Sequence, residues 1–283
     1  MMAAVSLDYA APEPALTDYV SVFYDFRADV PRFEDDDRAD LAQLRFMLKG
    51  SGGYRFADGH VQDGPEIQIV GPTMGCTHVH VDGPAEIFGA GLLPAGWGAM
   101  IAIDASSLTN RVIDATELFG RELRDVADQL RAASSLAERV AIGNALVRDL
   151  VARGHEQSRW FTRTVDTWLQ STLSPEVDDL VAATRLSRRQ VERLCKRLYG
   201  APPKLLSRKY RALRAAVVLA KGEASTAELL DQGFYDQSHC IREIKRFTGI
   251  TPTRIQGQLN ELTRLTMKRT EFAGQVAPLV AEA

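Results

Sequence analysis

The chain has 283 residues, of which 45% are hydrophobic and 25% charged, and its net charge is −3. This is the balance of a globular protein with enough length for two cores, and it excludes a disordered or fibrous chain. No apolar run is long enough to span a membrane and no basic-then-apolar leader opens the chain, while three cysteines without a C-x-x-C pair exclude a disulfide framework and a zinc ribbon. A cytoplasmic protein without membrane contact is the expectation.

The first third reads as β structure. Val20–Phe26, Leu44–Leu48, Tyr54–Phe56, Glu66–Val70, Thr77–Val81 and Glu86–Pro94 are short and rich in aromatic or β-branched residues. G-S-G-G, D-G, G-P-T-M-G and D-G-P lie between them as turn signals. Many short strands at close spacing predict a barrel or sandwich. The acidic run Glu34–Asp40 reads as a solvated loop. Two histidines at i, i+2, His78 and His80, point to one side of a strand, and with Glu86 they faintly resemble a cupin metal triad. The glycine spacing around them does not fit and no fourth ligand follows, so no metal, cofactor or catalytic residue is expected. Trp97 and Trp160 read as core residues.

After about Asp114 the apolar period becomes helical. A stripe of Leu136, Val140, Ile142, Leu146, Leu150 and Val151 predicts a helix that either packs on its own domain or forms a dimer seam. The join is placed at Gly154–Ser158. From Trp160 to Leu265 the pattern is helical, with turns at Pro175, Gly200–Pro203, Gly222 and Gly249–Pro252.

This helical part contains a repeat. R-L-C-K-R-L-Y-G-A-P-P (Arg193–Pro203) returns 49 residues later as R-E-I-K-R-F-T-G-I-T-P (Arg242–Pro252). The register holds without a gap from Val177–Pro203 onto Thr226–Pro252. It sets Val191 on Cys240, Cys195 on Ile244 and Leu198 on Phe247. Each copy predicts a short helix, a tight turn and a longer helix: Val177–Thr184 with Ser187 as N-cap, then Ala227–Gln232 with Gly233 in the turn and Asp236 as N-cap. Val191, Leu194, Cys195 and Leu198 form the inner face of the first long helix, and Cys240, Ile244 and Phe247 that of the second. Arg189, Arg193 and Lys196 face out, as do Ser238, Arg242 and Lys245.

Charge supports a nucleic-acid partner. Residues 175–256 hold 16 of the 34 basic and 9 of the 37 acidic side chains, a local +7 inside a protein that is otherwise −10. Arg near the start of a helix can pair with guanine and Gln with adenine, while later Lys and Arg can neutralise phosphates. The intervening Pro202–Lys221 reads as one helix, about 28 Å long, close to the ~34 Å turn of B-DNA. A basic helical bundle without DNA function is the plain alternative, and the matched caps and faces of two copies argue against it.

Gly233–Pro252, G-F-Y-D-Q-S-H-C-I-R-E-I-K-R-F-T-G-I-T-P, closely resembles the signature of AraC-type transcriptional regulators, and the resemblance extends over about Pro175–Gln256. It implies two helix-turn-helix units joined by a long helix. Matching positions give base-reading candidates Arg189, Glu192 and Arg193 in the first unit and Gln237, Ser238, Ile241 and Arg242 in the second. Phosphate candidates are Ser187, Arg188, Lys196, Arg197, Lys245 and Arg246. The chain departs from the family at Cys195, Cys240 and Ile244, where aromatics are usual, which predicts thinner cores. Thr184 stands where the second unit has Gly233, which puts the first turn in question. The stretch from Gly71 to Trp97 is similar, more loosely, to a cupin-like effector domain. The resemblance implies an α+β protein: residues 1–155 a β-rich cupin-like barrel or sandwich with a helical pair, residues 160–265 an all-α double helix-turn-helix, residues 266–283 a helical or flexible tail. It further implies an activator that binds double-stranded DNA as a homodimer, answers a small-molecule effector and contacts RNA polymerase. A cupin-type metalloenzyme or binder with a structural helical tail is the alternative. The buried positions of Cys195 and Cys240 favour small hydrophobes over a redox switch, and Cys76 has no neighbouring cation to activate it.

Overall fold

The computed structural model describes residues 4–154, 159–230, 233–257 and 259–272. The expected join falls mostly on residues 155–158, outside these, as do the end of the second unit's first helix at 231–232 and the tail from 273.

Eight strands form one sheet: β1 (Val5–Ala10), β2 (Val20–Ala28), β3 (Arg32–Asp37), β4 (Ala42–Arg55), β5 (Val61–Asp63), β6 (Ile67–Val70), β7 (Thr77–Leu92) and β8 (Val112–Asp114). The order is β1-β2-β7-β4-β6-β8, with β3 on β7 and β5 on β4. The sheet is β-rich and antiparallel as expected, but it does not close into a barrel. The pairs of short strands read from the sequence are two long ones. β4 passes through G-S-G-G with register shifts beside Lys49, and β7 passes through D-G-P. Glycine there marks bulges and close backbone approach rather than chain reversal. The two ends of β7 serve different partners: 85–92 pairs with β2 and 77–82 with β3.

The acidic run corrects the loop expectation. Most of it is β3, and its carboxylates are engaged instead of solvated. Asp36 Oδ1 lies 3.0 Å from His78 Nδ1, and Asp37 Oδ2 lies 3.9 Å from Arg45. Charge alone reads as loop, whereas cross-strand partners make a polar strand viable.

One sheet face packs Phe23, Leu44, Phe46, Ile69 and Phe88 under helices. These are α1 (Pro94–Met100), α2 (Thr116–Phe119), α3 (Leu123–Ala132) and α4 (Leu136–Arg153). α4 is capped by Ser135, whose side chain accepts from the Glu138 N–H. The predicted stripe of α4 does pack on this core: Leu146 and Leu150 are buried, and Leu136, Val140, Ile142 and Val151 are half-buried against it.

The helical half comprises α5 (Arg159–Ser171), α6 (Val177–Thr184), α7 (Arg188–Tyr199), α8 (Pro203–Lys221), α9 (Thr226–Leu230), α10 (Gln237–Thr248), α11 (Pro252–Gly257) and α12 (Glu261–Thr266). A 3-10 turn, Met267–Phe272, follows. Pro203 begins α8 and Gly222 ends it in the left-handed conformation, so the connecting helix has 19 residues. Trp160 is 48% exposed, edge-on to Phe161, which corrects its reading as a core residue. Trp97 is buried, with its indole N–H donating to Ile103 O at 2.8 Å.

Candidate nucleic-acid interface

The first unit is α6, a turn and α7. The turn that Thr184 put in question is made by Arg185, which takes the left-handed conformation at φ 55°. Thr184 is buried and its hydroxyl donates to Leu180 O at 2.9 Å. Ser187 caps α7 in a full capping box with Gln190. In the second unit Asp236 caps α10 by accepting from the His239 N–H at 2.7 Å.

The inner faces are dry. Val191, Cys195, Cys240, Ile244 and Phe247 are fully buried in one shared core. Where aromatics are missing at 195 and 240, Tyr199, Tyr210, Phe234 and Phe161 supply the bulk of that core. Burial pushes the Cys195 thiol up to about 12 and also raises Cys240. Cys76 is likewise pushed up to about 12, by burial and then by the carboxylates of Asp36, Asp37 and Asp35. The native protein should therefore react slowly with Ellman's reagent at pH 8, with three thiols titrating only in denaturant. Rapid native reaction of any of them would contradict this packing.

The outer faces carry the predicted side chains. Arg189, Arg193 and Lys196 are exposed on α7 and Glu192 is half-buried. Gln237, Ser238, Arg242 and Lys245 are exposed on α10, and Ile241 is half-buried. Ser187 and Arg188 are exposed at the start of α7, with Arg188 paired to Asp178. Arg197 stands 3.9 Å from Asp104, and the Arg246 guanidinium lies 5.5 Å over the Phe247 ring.

Sequence reasoning missed how these helices are held. α8 is the scaffold of the second unit. Arg208 makes two bonds of 2.8 and 2.7 Å to the buried Glu243 of α10. Arg211 donates to Gly233 O at 2.7 Å and lies 4.7 Å over the Phe234 ring. The pairing holds the Glu243 carboxyl below the usual range although burial opposes it.

Both long helices end against the β-domain. The two repeat glycines, Gly200 and Gly249, terminate α7 and α10 with φ of 80° and 81°. A Cβ on Gly200 would lie 2.5 Å from Pro72 and one on Gly249 would lie 2.6 Å from the Cys76 sulfur. Gly200 O accepts from Thr109 at 2.9 Å, and in the second unit Arg246 O accepts from Cys76 N–H at 2.9 Å and Phe247 O from Ala39 N–H at 2.7 Å. Lys209 of α8 is buried between the halves and donates to Asp40 O and Thr73 O at 2.6 and 3.0 Å. The repeated phrase thus serves two ends: polar side chains free near the helix N-termini, glycines docked at the C-termini.

His78, His80 and Glu86 are not gathered. His78 meets Asp36, His80 lines a cavity, and Glu86 is 3.0 Å from Arg139. Among the described residues no group of three or more His, Cys, Asp or Glu is placed to hold a metal ion. Nor, among them, is any helix long and apolar enough to cross a membrane.

Fold and site together define a helix-turn-helix protein with a β-rich partner domain. A family profile described as a helix-turn-helix domain matches residues 180–258, and the C-terminal region is an AraC-type helix-turn-helix domain, the kind carried by DNA-binding transcription regulators. A comparison with curated proteins finds no match. Among solved structures, the chain is similar to ToxT from Vibrio cholerae (8% identity, 90% of this chain and 98% of that one, TM-score 0.42). It is also similar to unsaturated-fatty-acid-bound wild-type ToxT from Vibrio cholerae (10% identity, 90% and 95%, TM-score 0.46). A third similarity is to the AraC-like transcriptional activator CuxR (13% identity, 67% and 80%, TM-score 0.33).

Proposed function

We propose that this chain is a cytoplasmic, effector-responsive transcriptional activator that reads two adjacent major-groove sites, one with α7 and one with α10. The observation that carries the reading is the matched pair of capped helices: each offers exposed Arg and polar groups on its outer face, and a 19-residue helix links them. Arg189, Glu192 and Arg193 read bases in one site, and Gln237, Ser238, Ile241 and Arg242 in the other. Ser187, Arg188, Lys196, Arg197, Lys245 and Arg246 set the register on phosphates. Residues 1–155 form the sensor and dimerisation domain, 160–265 the DNA-binding domain and 266–283 the tail. The groove between α3 and α4, lined by Phe119, Val126 and Ile142, is a seam for a homodimer, and RNA polymerase is the partner on promoter DNA.

The test is fluorescence anisotropy of the full chain on selected and random duplexes across a salt series. Selected sites should bind roughly a thousandfold tighter or more. Arg193→Ala and Arg242→Ala should each cost about 1–3 kcal/mol on the selected site and relax specificity in their own half. Lys196→Ala should weaken all sequences alike and lower the salt slope by about one. Weak, sequence-independent binding by the folded protein would sink the reading.

A further inference from the structure

The sheet face turned away from α3 and α4 carries a cavity of about 90 Å³ with largely apolar walls, among them Leu7, Phe26, Met47 and Ile87. Its roof comes from elsewhere in the chain. Leu262, Thr266 and Arg269 belong to the segment that follows the second helix-turn-helix unit. That segment crosses back over the sheet as a strap. Asn260 donates to Asp36 O at 3.0 Å, and the Leu262 N–H donates to Asp35 Oδ2 at 2.9 Å. Leu265 is buried with Val5, Leu7 and Phe26, and Phe272 meets the Tyr9 ring edge-on at 6.4 Å.

At the polar end of the cavity cations outnumber anions. Arg38, Arg45 and Arg269 stand there with only Asp37 and Asp40. Arg45 is fully engaged, donating to Tyr24, Gln43 and Tyr54 at 2.8, 2.9 and 3.1 Å. Arg269 is not. It is 5% exposed and gives one nitrogen to both oxygens of Asp40, at 3.1 and 2.9 Å. Its Nε and other Nη are buried without a partner, and so is Arg38 Nε. Buried charged donors left without acceptors are costly. Neighbouring groups register the same crowding. Burial, then the charge of Arg269, pushes Arg38 down to about 10. Burial pushes Lys209 down to about 7, against the pull of Asp40 and with the help of Arg38 and Arg269. Burial and Asp40 push Asp37 up to about 6, which weakens the anionic side further.

We infer that this cavity is the site of a compact organic acid, its apolar body against the sheet and its carboxylate on the unpaired edge of Arg269, with the strap as its lid. The inference rests on the effector-responsive reading above and gives that effector a charge and a seat. A neutral ligand would leave the guanidinium edge unsatisfied, and a cation would be repelled by it. The route to the DNA-binding half is short. Asp40 holds Arg269, and its neighbour Ala39 donates to Phe247 O in α10 at 2.7 Å. An acid that takes over Arg269 loosens Asp40 and so acts on the stretch that docks the second unit.

The test is calorimetry on the full chain with octanoate and benzoate, against octan-1-ol and benzamide as neutral counterparts. At least one acid should bind with tenfold or greater preference over its neutral counterpart, and hydrogen exchange in 259–272 should slow when it does. Arg269→Met should lose that preference and Arg269→Lys should keep part of it. Equal binding of acid and neutral counterpart, no binding of either acid, or full preference in a folded Arg269→Met would overturn the inference. The acid-to-neutral comparison needs no variant, so it decides even if Arg269→Met fails to fold. Duplex anisotropy on the same samples separates the two readings. Acid preference without DNA binding would sink the regulator and leave the site, while DNA binding without acid preference would do the reverse.

Discussion

Phe247→Ala is expected to destabilise the helical half by about 3–5 kcal/mol, measured by urea unfolding, and to abolish recognition of one half-site while the other is still contacted. The ring is 0% exposed and sits in the core shared by both units, among Cys240, Ile244, Ile250 and Leu213. Its loss leaves a cavity that helices fixed at both ends cannot fill by collapse. α10 is capped by Asp236 at its start, tied to α8 through Glu243, and docked by the carbonyl of residue 247 itself to Ala39. The counterpart Leu198→Ala should cost less, about 2–3 kcal/mol, because the side chain is smaller and retains some exposure. Equal effects at the two positions would mean that the units do not differ in how tightly their surroundings hold them.

The legibility of the sequence followed the range of the interactions concerned. Caps, turns and helix faces depend on neighbours a few residues away, so Ser187, Asp236 and the dry positions 191, 195, 240, 244 and 247 could be placed from spacing alone. The helix Val177–Thr184 matches its expected bounds for the same reason. What failed was long-range. β3 is a strand because β7 offers it His78 and strand edges, which no window around Glu34–Asp40 contains. The open sheet depends on which face the strap covers, and the strap lies more than 200 residues from β3 in the chain. The role of α8 also escaped. Its Lys and Arg residues read as phosphate-seeking charge, yet Arg208, Lys209 and Arg211 are turned to Glu243, Asp40 and Gly233. One signal was available: α8 alternates apolar and basic residues with no wholly polar face, the pattern of a helix surrounded by partners.

A second large effect is expected in the β-domain. Arg139→Ala should cost about 3–5 kcal/mol in thermal or chemical unfolding of the full chain. The Arg139 side chain on α4 is 5% exposed and bonds Asp25 of β2 at 2.7 Å, where the carboxylate is only 4% exposed, and Glu86 of β7 at 3.0 Å. Removing the guanidinium strands Asp25 beside Arg27, which is 3.3 Å away and largely solvated. The penalty comes from the orphaned carboxylate, not from the lost attraction, so the two origins can be separated. Asp25→Asn in the Arg139→Met background should recover much of the stability, because two neutral groups of similar volume then replace a buried charge without a partner. If the double variant were as unstable as Arg139→Ala, the loss would lie in the packing of α4 against the sheet. Glu86 would then be free of its one cation, and the reading of that carboxylate as structural would have to be withdrawn.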